Sequence, residues 1–262
     1  MFLLKQVSNL ILFAGVLLSG SSRTRIISLA PSVTDFLIEL NLDRYIVGKT
    51  YLDPEEIKGE VVLFPSMRIS KEKILKLKPT HIISAGLVSK EDLEFFKSKK
   101  IKVIDIEYKS LMDIVKTFVI LGEEMNSREI ALYKLRNFLD TLFLFKDIKR
   151  GKKILFVLDL VQGIWCPGKN TFISDLLKFA GFENITDFYE GYKTPSIEEI
   201  IKNEPDIIVF NFKDPEKILK GTTLEKLRAI KEKRFYDVPD PDYFSRPSPR
   251  IIKALKFLST ID

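Results

Sequence analysis

The chain has 262 residues, of which 45% are hydrophobic and 30% charged, and its formal net charge is +6. This length allows one large domain or two small ones, and the apolar fraction excludes a disordered chain. The 36 acidic residues offset most of the basic ones, and no basic run is interleaved with aromatics, so nucleic acid is not an expected partner. The only cysteine is Cys166 and the only histidine is His81, which excludes an internal disulfide and a cysteine metal cluster.

Residues 1–22 are typical of a secretory signal peptide. Lys5 precedes an apolar run from Leu10 to Leu18, which is shorter than the ~20 residues needed to cross a bilayer. The alternative is an uncleaved anchor that would tether a membrane-bound sensor domain. Lipid anchoring is not possible at Ser21, because a lipoprotein would have cysteine there. We therefore expect cleavage near Ser21 or Ser22 and a periplasmic, extracytoplasmic protein.

The segment 23–125 predicts an N-terminal α/β lobe, because strand patterns alternate with helix patterns. Such alternation is typical of βαβ units with a mostly parallel sheet. The predicted strands are Arg25–Leu29, Ile46–Val47, His81–Ser84 and Lys102–Ile106. The predicted helices are Val33–Leu42, one after Ser70, Glu91–Lys99 and Leu111–Glu124. His81 opens an apolar strand, so we expect it to be a structural imidazole rather than a ligand.

The segment 126–148 predicts one long helix, because its apolar residues recur at near-helical spacing. Ser127 stands where it could cap the first turn. Some 20 helical residues would span roughly 30 Å, about the width of a small domain. We interpret this segment as a linking backbone helix between two lobes.

The segment 149–262 predicts a second α/β lobe that resembles the first. Its predicted elements are the strand Lys152–Asp159, the helix Thr171–Ala180, the strand Phe235–Val238 and a closing helix. Ser70 to Ser84 reads SKEKILKLKPTHIIS, and Ser196 to Phe210 reads SIEEIIKNEPDIIVF, with a constant offset of 126 residues. The sequence thus predicts two Rossmann-like βα lobes joined by a single long rigid helix.

The loops beyond the predicted strands carry many aromatic residues. Ligands of parallel sheets bind at the carboxyl ends of the strands, where these loops gather. One cation among several rings suits a large, flat, partly polar ligand. Trp165 could instead be a core residue, and Arg246 could simply pair with a surface carboxylate. The loop residues are Tyr51, Met67, Trp165, Tyr189, Tyr192, Tyr243, Phe244 and Arg246, and the strand ending in Ala85-Gly86 offers little side-chain bulk.

The same loops offer no convincing catalytic set. The Gly163–Gly168 loop lacks the glycine and lysine spacing of a phosphate-binding loop. No nucleophile stands beside an identifiable histidine base. The sequence therefore does not predict an enzyme, and no catalytic or metal-ligating residue is assigned.

Five segments resemble the class III periplasmic substrate-binding proteins of ABC importers, in the cobalamin and ferric-siderophore branch. They read RIISLAPSVTDFLIELNL, SKEKILKLKPTHII, PGKNTFISDLLKFAGFENI, SIEEIIKNEPDIIVF and DPDYFSRPSPRIIKAL. The resemblance covers nearly everything after residue 24. It implies two α/β lobes joined by a rigid helix, with a ligand cleft between the lobes.

Within that branch the chain is most similar to cobalamin binders, which implies a ligand site. Tyr51 and Trp165 match aromatic positions, and Asp242, Tyr243, Phe244, Ser245 and Arg246 match a C-terminal ligand loop. Met67 and Gly86 complete the expected set. The cobalamin-binding relatives have tryptophans near Ser66 and Ala85, which this chain lacks, so its cleft could be wider or hold a different chelate.

The resemblance also implies a function. We expect a monomer that captures a corrinoid and delivers it to the dimeric permease of an ABC importer. Glu72 and Glu198, one in each lobe, match the acids that dock such proteins on the permease. The ligand, a cobalt corrinoid or an iron chelate, would be cargo rather than a cofactor. The alternatives are a binding protein for haem or a ferric siderophore, and a chelatase-like tetrapyrrole enzyme.

Overall fold

The computed structural model describes residues 24–64, 68–149, 151–161 and 163–261. The chain divides into two compact units. Unit 1 contains the described residues up to Glu107 and the segment Met112–Asn137. Unit 2 contains Tyr108–Leu111 and the described residues from Phe138 onward. Both units are α/β structures built on parallel sheets, as the sequence predicts.

Unit 1 is built on a five-stranded parallel sheet. Its strands are β1 (Ile26–Ser28), β2 (Ile46–Thr50), β3 (Glu60–Leu63), β4 (His81–Ser84) and β5 (Lys102–Asp105). Their order is β3-β2-β1-β4-β5. The helices of this part of the chain are α1 (Pro31–Glu39), α2 (Lys71–Lys76), α3 (Lys90–Ser98), α4 (Leu111–Glu124) and α5 (Arg128–Phe143), with a 3-10 turn at Asp43–Tyr45.

The centre of this sheet is apolar because it is covered on both faces, as is usual for parallel strands. Ile27 in β1 and Ile82 in β4 are fully buried. Gly48 in β2 allows β1 and β2 to pack closely, since an added Cβ would lie 2.5 Å from Cδ1 of Ile27. Phe36 of α1 meets Phe118 of α4 edge to face, with ring centroids 5.1 Å apart. These residues belong to the buried core of unit 1.

Unit 2 is built on a four-stranded parallel sheet and a separate antiparallel pair. The parallel strands are β6 (Lys153–Val157), β8 (Glu183–Asn184), β10 (Ile207–Phe210) and β11 (Phe235–Asp237), in the order β11-β10-β6-β8; the antiparallel strands are β7 (Cys166–Pro167) and β9 (Tyr192–Lys193). The helices are α6 (Phe172–Phe179), α7 (Ile197–Asn203), α8 (Pro215–Leu219), α9 (Arg228–Lys231), α10 (Asp242–Ser245) and α11 (Ile251–Thr260), with a 3-10 turn at Thr223–Lys226.

The repeat predicted from the sequence is present in the local structure. Strands β4 and β10 are offset by the same 126 residues at both ends. Ser70 and Ser196 cap α2 and α7, and each hydroxyl accepts a hydrogen bond from the backbone N–H three residues later. The order β2-β1-β4-β5 in unit 1 corresponds to β8-β6-β10-β11 in unit 2. The two sheets therefore share the order of four strands, and β3 of unit 1 has no counterpart in the four-stranded sheet of unit 2.

The predicted helix over 126–148 is shorter in the structure, and a single long linking helix is not confirmed. Helix α5 ends at Phe143, and residues 144–149 form turns. Asp147 has a φ of 55°, and its N–H donates to the carbonyl of Phe179. Both features prevent the helix from continuing through this residue. Ser127 does not act as the predicted side-chain cap, because its buried hydroxyl has no hydrogen-bond partner among the described residues.

Candidate ligand-binding loops

In unit 1, two predicted ligand residues follow the carboxyl ends of parallel strands. Tyr51 comes directly after β2, and its N–H donates to the carbonyl of Leu63 at 3.0 Å. The Tyr51 side chain is 37% exposed. Gly86 lies just beyond β4 with a φ of 77°, and an added Cβ would meet no atom within 4 Å. Because β2 and β4 are parallel to the same strand, both residues lie at one edge of the sheet.

Met67, the third predicted ligand residue of this part of the chain, lies outside the described residues. Ser66, at one of the two positions where the resembled proteins have tryptophan, also lies outside them. Ala85, at the other position, is half-buried next to Gly86.

In unit 2, Trp165 and Tyr192 form a stacked aromatic pair. Their ring centroids lie 6.2 Å apart and the planes are inclined by 19°. Strand pairing holds them together, because β7 follows Trp165 directly and Pro167 pairs with Tyr192. Trp165 is 37% exposed and Tyr192 is 40% exposed. Burial of part of the side chain raises the pKa of Tyr192.

This pair favours the ligand-platform interpretation of Trp165 over the core interpretation. The indole lies on a loop that follows β6, and its backbone bonds to Asp159 and Leu158 rather than to a regular sheet. Cys166, the next residue, is 1% exposed, and burial raises the pKa of its thiol. The partly exposed ring of Trp165 is therefore followed directly by the buried side chain of Cys166.

The predicted C-terminal ligand loop forms the short helix α10 and the residue after it. Arg246 Nη2 lies 2.6 Å from Asp242 Oδ2, one helical turn away. The Arg246 side chain is 14% exposed and that of Asp242 is 43% exposed. The Lys253 ammonium lies 5.7 Å from the Tyr243 ring centroid. Arg246 and Asp242 thus form an ion pair within this loop.

Phe244 is a core residue rather than a surface residue of this loop. It is 1% exposed, and its ring lies 4.7 Å from that of Phe156 and 6.4 Å from that of Phe257, centroid to centroid. Tyr243 and Phe244 are neighbours on the helix α10 and therefore point in different directions, with Phe244 on the buried side. Phe244 therefore anchors α10, and we leave it out of the ligand contacts proposed below.

Asn211, which the sequence reasoning missed, contacts the predicted C-terminal ligand loop. It follows β10, is 8% exposed, and its Nδ2 donates to Ser245 Oγ at 3.3 Å. Ser245 Oγ in turn donates to the carbonyl of Pro241 at 3.0 Å. The sequence does show a polar residue directly after an apolar strand. It does not show that this residue bonds to Ser245, because the two lie 34 residues apart in the chain. Asn211 connects the end of a central strand to the predicted ligand loop.

Glu72 and Glu198, the predicted docking acids, occupy equivalent first-turn positions in α2 and α7. Both are exposed. Glu72 Oε1 lies 2.7 Å from Lys76 Nζ, and this hydrogen bond lowers the pKa of Glu72. The side chains of Glu72 and Lys76 are 79% and 74% exposed, so water screens this ion pair and the charge of Glu72 remains available to a partner.

His81 lies at the amino end of β4, opposite to the edge that carries Tyr51 and Gly86. Its Nδ1 is 2.8 Å from Thr80 Oγ1, and burial lowers the pKa of the ring. These features are those of a structural imidazole. Within the described ranges, no group of three or more His, Cys, Asp or Glu side chains could hold a metal ion. No helix there is long and apolar enough to cross a membrane.

Residues 26–241 match the periplasmic binding protein family, and the chain belongs to that family. The vitamin B12-binding protein of Vibrio vulnificus is 29% identical over 266 residues, covering 97% of this chain and 95% of that protein. A high-affinity heme uptake system protein of Staphylococcus aureus is 26% identical over 238 residues, covering 84% and 80%. An uncharacterized ABC transporter substrate-binding lipoprotein of Bacillus subtilis is 27% identical over 251 residues, covering 90% and 78%.

Among solved structures, a possible iron-binding periplasmic solute-binding protein of Staphylococcus epidermidis superposes with a TM-score of 0.78 at 28% identity. The match covers 90% of this chain and 96% of that one. The chain is thus a substrate-binding protein of an ABC importer, and its relatives include a vitamin B12-binding protein and a heme uptake protein. This family consists of solute-binding transport proteins rather than enzymes. Its members bind small ligands and deliver them to a permease.

Proposed function

We propose that this protein captures a corrinoid, such as cobalamin or cobinamide, outside the cytoplasm and delivers it to an ABC-type permease. The observation that carries the choice of ligand is the Arg246–Asp242 ion pair, which places opposite charges together and so suits neutral polar groups. A corrinoid has peripheral carboxamides, and each amide offers both a donor and an acceptor. The carboxylates of haem would suit Arg246 but would be repelled by Asp242. In unit 2, the Trp165–Tyr192 pair supplies an apolar surface for a flat macrocycle.

The metal of the ligand supports the same choice. In cobalamin the cobalt is ligated by the molecule's own base, so it needs no side chain from the protein. His81 lies at the wrong end of β4 to serve as such a ligand. In unit 1, Tyr51 adds a further exposed ring at the ligand-binding edge of the sheet.

The second candidate is a binding protein for haem or a ferric siderophore. Phenol oxygens can ligate ferric iron, and Tyr51 and Tyr192 both have exposed rings on the loops described above. The similarity to a heme uptake protein favours this candidate as well. A chelatase-like enzyme fits less well, because the family consists of transport proteins.

We also propose that Glu72 and Glu198 dock the protein on the permease. Each lies in the first turn of an equivalent helix, one in each unit, and both are exposed. Two related units can present similar acids to two similar permease subunits, because a symmetric partner repeats its surface. Electrostatic complementarity of this kind mainly sets encounter rate and orientation.

Titration of Trp165 emission ranks the candidate ligands in one experiment. Cyanocobalamin, dicyanocobinamide, haemin and a ferric hydroxamate all absorb light and quench a nearby indole. We expect either corrinoid to quench the emission saturably at about one ligand per chain, with a dissociation constant in the micromolar range or tighter. Selective excitation of the indole avoids tyrosine emission, and Trp165 is the only tryptophan.

Two variants provide the controls for this titration. Tyr192→Ala removes the ring stacked on Trp165 and is expected to weaken corrinoid binding. Tyr133→Ala removes a ring that is 65% exposed on helix α5 and is expected to leave binding unchanged. Saturable quenching by haemin or the hydroxamate, with none by either corrinoid, would favour the second candidate.

Export places this function outside the cytoplasm. Residues 1–22 lie outside the described residues, so their role rests on the sequence. We propose that they are a signal peptide that is cleaved near Ser21 or Ser22. N-terminal sequencing of the exported protein is expected to start at one of these serines. A start at Met1 in a membrane fraction would instead indicate an anchored sensor domain.

A further inference from the structure

Lys49, the last but one residue of β2, is buried, which is unusual for a lysine. Lys49 is 7% exposed. Its ammonium donates to three carbonyl oxygens of the following loop, those of Pro54 and Ile57 at 2.7 Å and that of Glu55 at 3.4 Å. An ammonium group has three donors, so this set uses all of them. A buried lysine is costly unless its hydrogen bonds are satisfied, and here the loop backbone satisfies them.

Asp53 holds the same loop from the other side. It is 7% exposed, and its Oδ2 accepts hydrogen bonds from both the N–H and the hydroxyl of Thr50, each at 2.8 Å. The Thr50 hydroxyl oxygen also accepts the N–H of Leu52 at 3.2 Å. The residue enclosed by these bonds is Tyr51. Two buried charged side chains thus fix the loop Thr50–Ile57, which carries the exposed ring.

Stability alone does not explain this arrangement. Asp53 Oδ1 is buried and has no hydrogen-bond partner among the described residues. A buried acceptor left unpaired costs free energy, and such costs are concentrated at functional sites. A loop that needed only to connect β2 with β3 would not require a buried carboxylate and a buried ammonium.

We propose that Lys49 and Asp53 are positioning residues, which keep the loop Thr50–Ile57 in one conformation and so hold Tyr51 ready for the metal chelate. This inference rests on the proposed function, because it assumes that Tyr51 contacts the ligand. Holding a ring in its bound conformation before binding reduces the entropy lost on association.

The conformation of the loop can be tested without any ligand. Hydrogen–deuterium exchange of the loop peptide is measured for the unaltered protein, Lys49→Met, Asp53→Ala and the control Lys58→Met, which changes an exposed lysine just after the loop. We expect Lys49→Met and Asp53→Ala to raise exchange in this peptide by about tenfold or more, because local opening becomes easier. The control is expected to leave exchange unchanged. Unchanged exchange in both test variants would overturn the inference.

A double-mutant cycle tests whether the loop acts through Tyr51. Lys49→Met is expected to weaken cyanocobalamin binding by about tenfold when Tyr51 is present. In the Tyr51→Ala background the same change should cause no further weakening. A merely structural role would weaken binding equally in both backgrounds, and that result would overturn the positioning role.

Different results would refute the proposed function and the positioning role of Lys49 and Asp53. If the unaltered protein does not bind cyanocobalamin, the cycle is repeated with haemin as the probe. Binding of haemin alone would refute the corrinoid assignment and leave the cycle to decide the role of Lys49. Binding of neither probe would refute the proposed function and the ligand-holding half of this inference, while the exchange data would still decide whether Lys49 and Asp53 hold the loop.

Discussion

Replacing Phe244 by alanine is expected to lower the free energy of unfolding by about 3–5 kcal/mol, the usual range for a buried phenylalanine. The ring is 1% exposed and packs on Phe156 and Phe257, so the change leaves a cavity in the core of unit 2. Urea denaturation followed by Trp165 emission measures this loss, because the indole belongs to the same unit.

Tyr243→Ala is the matched control, since it removes the neighbouring aromatic ring from the same short helix. Tyr243 is only half-buried, and we expect its loss to cost about 1 kcal/mol of stability. If Phe244 instead contacted the ligand, Phe244→Ala would weaken corrinoid binding and change stability little. That result would contradict the placement of Phe244 in the core.

The double charge reversal Glu72→Lys with Glu198→Lys is expected to weaken binding to the cognate permease by about 100-fold or more. Each substitution turns an attraction to a basic partner residue into a repulsion, and such juxtapositions cost several kcal/mol. Ligand affinity should remain unchanged. Binding of the purified protein to the reconstituted permease, measured at low and at physiological salt, tests this expectation.

The control reverses two acids in the same kind of position, Glu91→Lys with Glu216→Lys. Both are exposed and lie in the first turns of other helices, α3 and α8, so the net charge and the helix-dipole effects change alike. The permease should still bind this control. Equal weakening by both pairs would show a general charge effect, and survival of the complex after the Glu72 and Glu198 reversals would remove their docking role.

Elements with strong local signals were predictable from the sequence. Strand β4 and helix α4 coincide with the predicted His81–Ser84 and Leu111–Glu124. A capping serine, an apolar pair and a proline mark the start of each repeat, and these signals depend only on neighbouring residues. The constant offset between the repeats predicted two related lobes, and the two sheets share the order of four strands.

Elements that depend on distant partners were not predictable. Strand β3 has only four residues and begins with an exposed Glu60, so it gives no clear alternation. Strands β7 and β9 have two residues each and exist only because they pair with one another. The end of α5 is set by hydrogen bonds to Phe179 and Ala180, which lie more than thirty residues further along the chain.

The candidate site also has features that depend on local signals and features that depend on distant partners. The prediction of Tyr51 and Trp165 as ligand residues used only the presence of aromatic residues in loops after strands, which composition and strand order reveal. The stacking of Trp165 on Tyr192 depends on the pairing of β7 with β9. Phe244 lies on the buried side of α10. That placement depends on a single helical turn, and a segment of four residues is too short for the sequence to predict it. Lys49, among many exposed lysines, is distinguished only by the three carbonyls that surround its ammonium.

Equilibrium dialysis of the mature protein against cyanocobalamin tests the central claim most directly. We predict saturation at about one corrinoid per chain, with a micromolar or tighter dissociation constant and recovery of the corrinoid unchanged. A protein that saturates only with haemin or a ferric siderophore would contradict the corrinoid assignment and keep the transport class. Conversion of a tetrapyrrole and free metal to product would contradict the account as a whole.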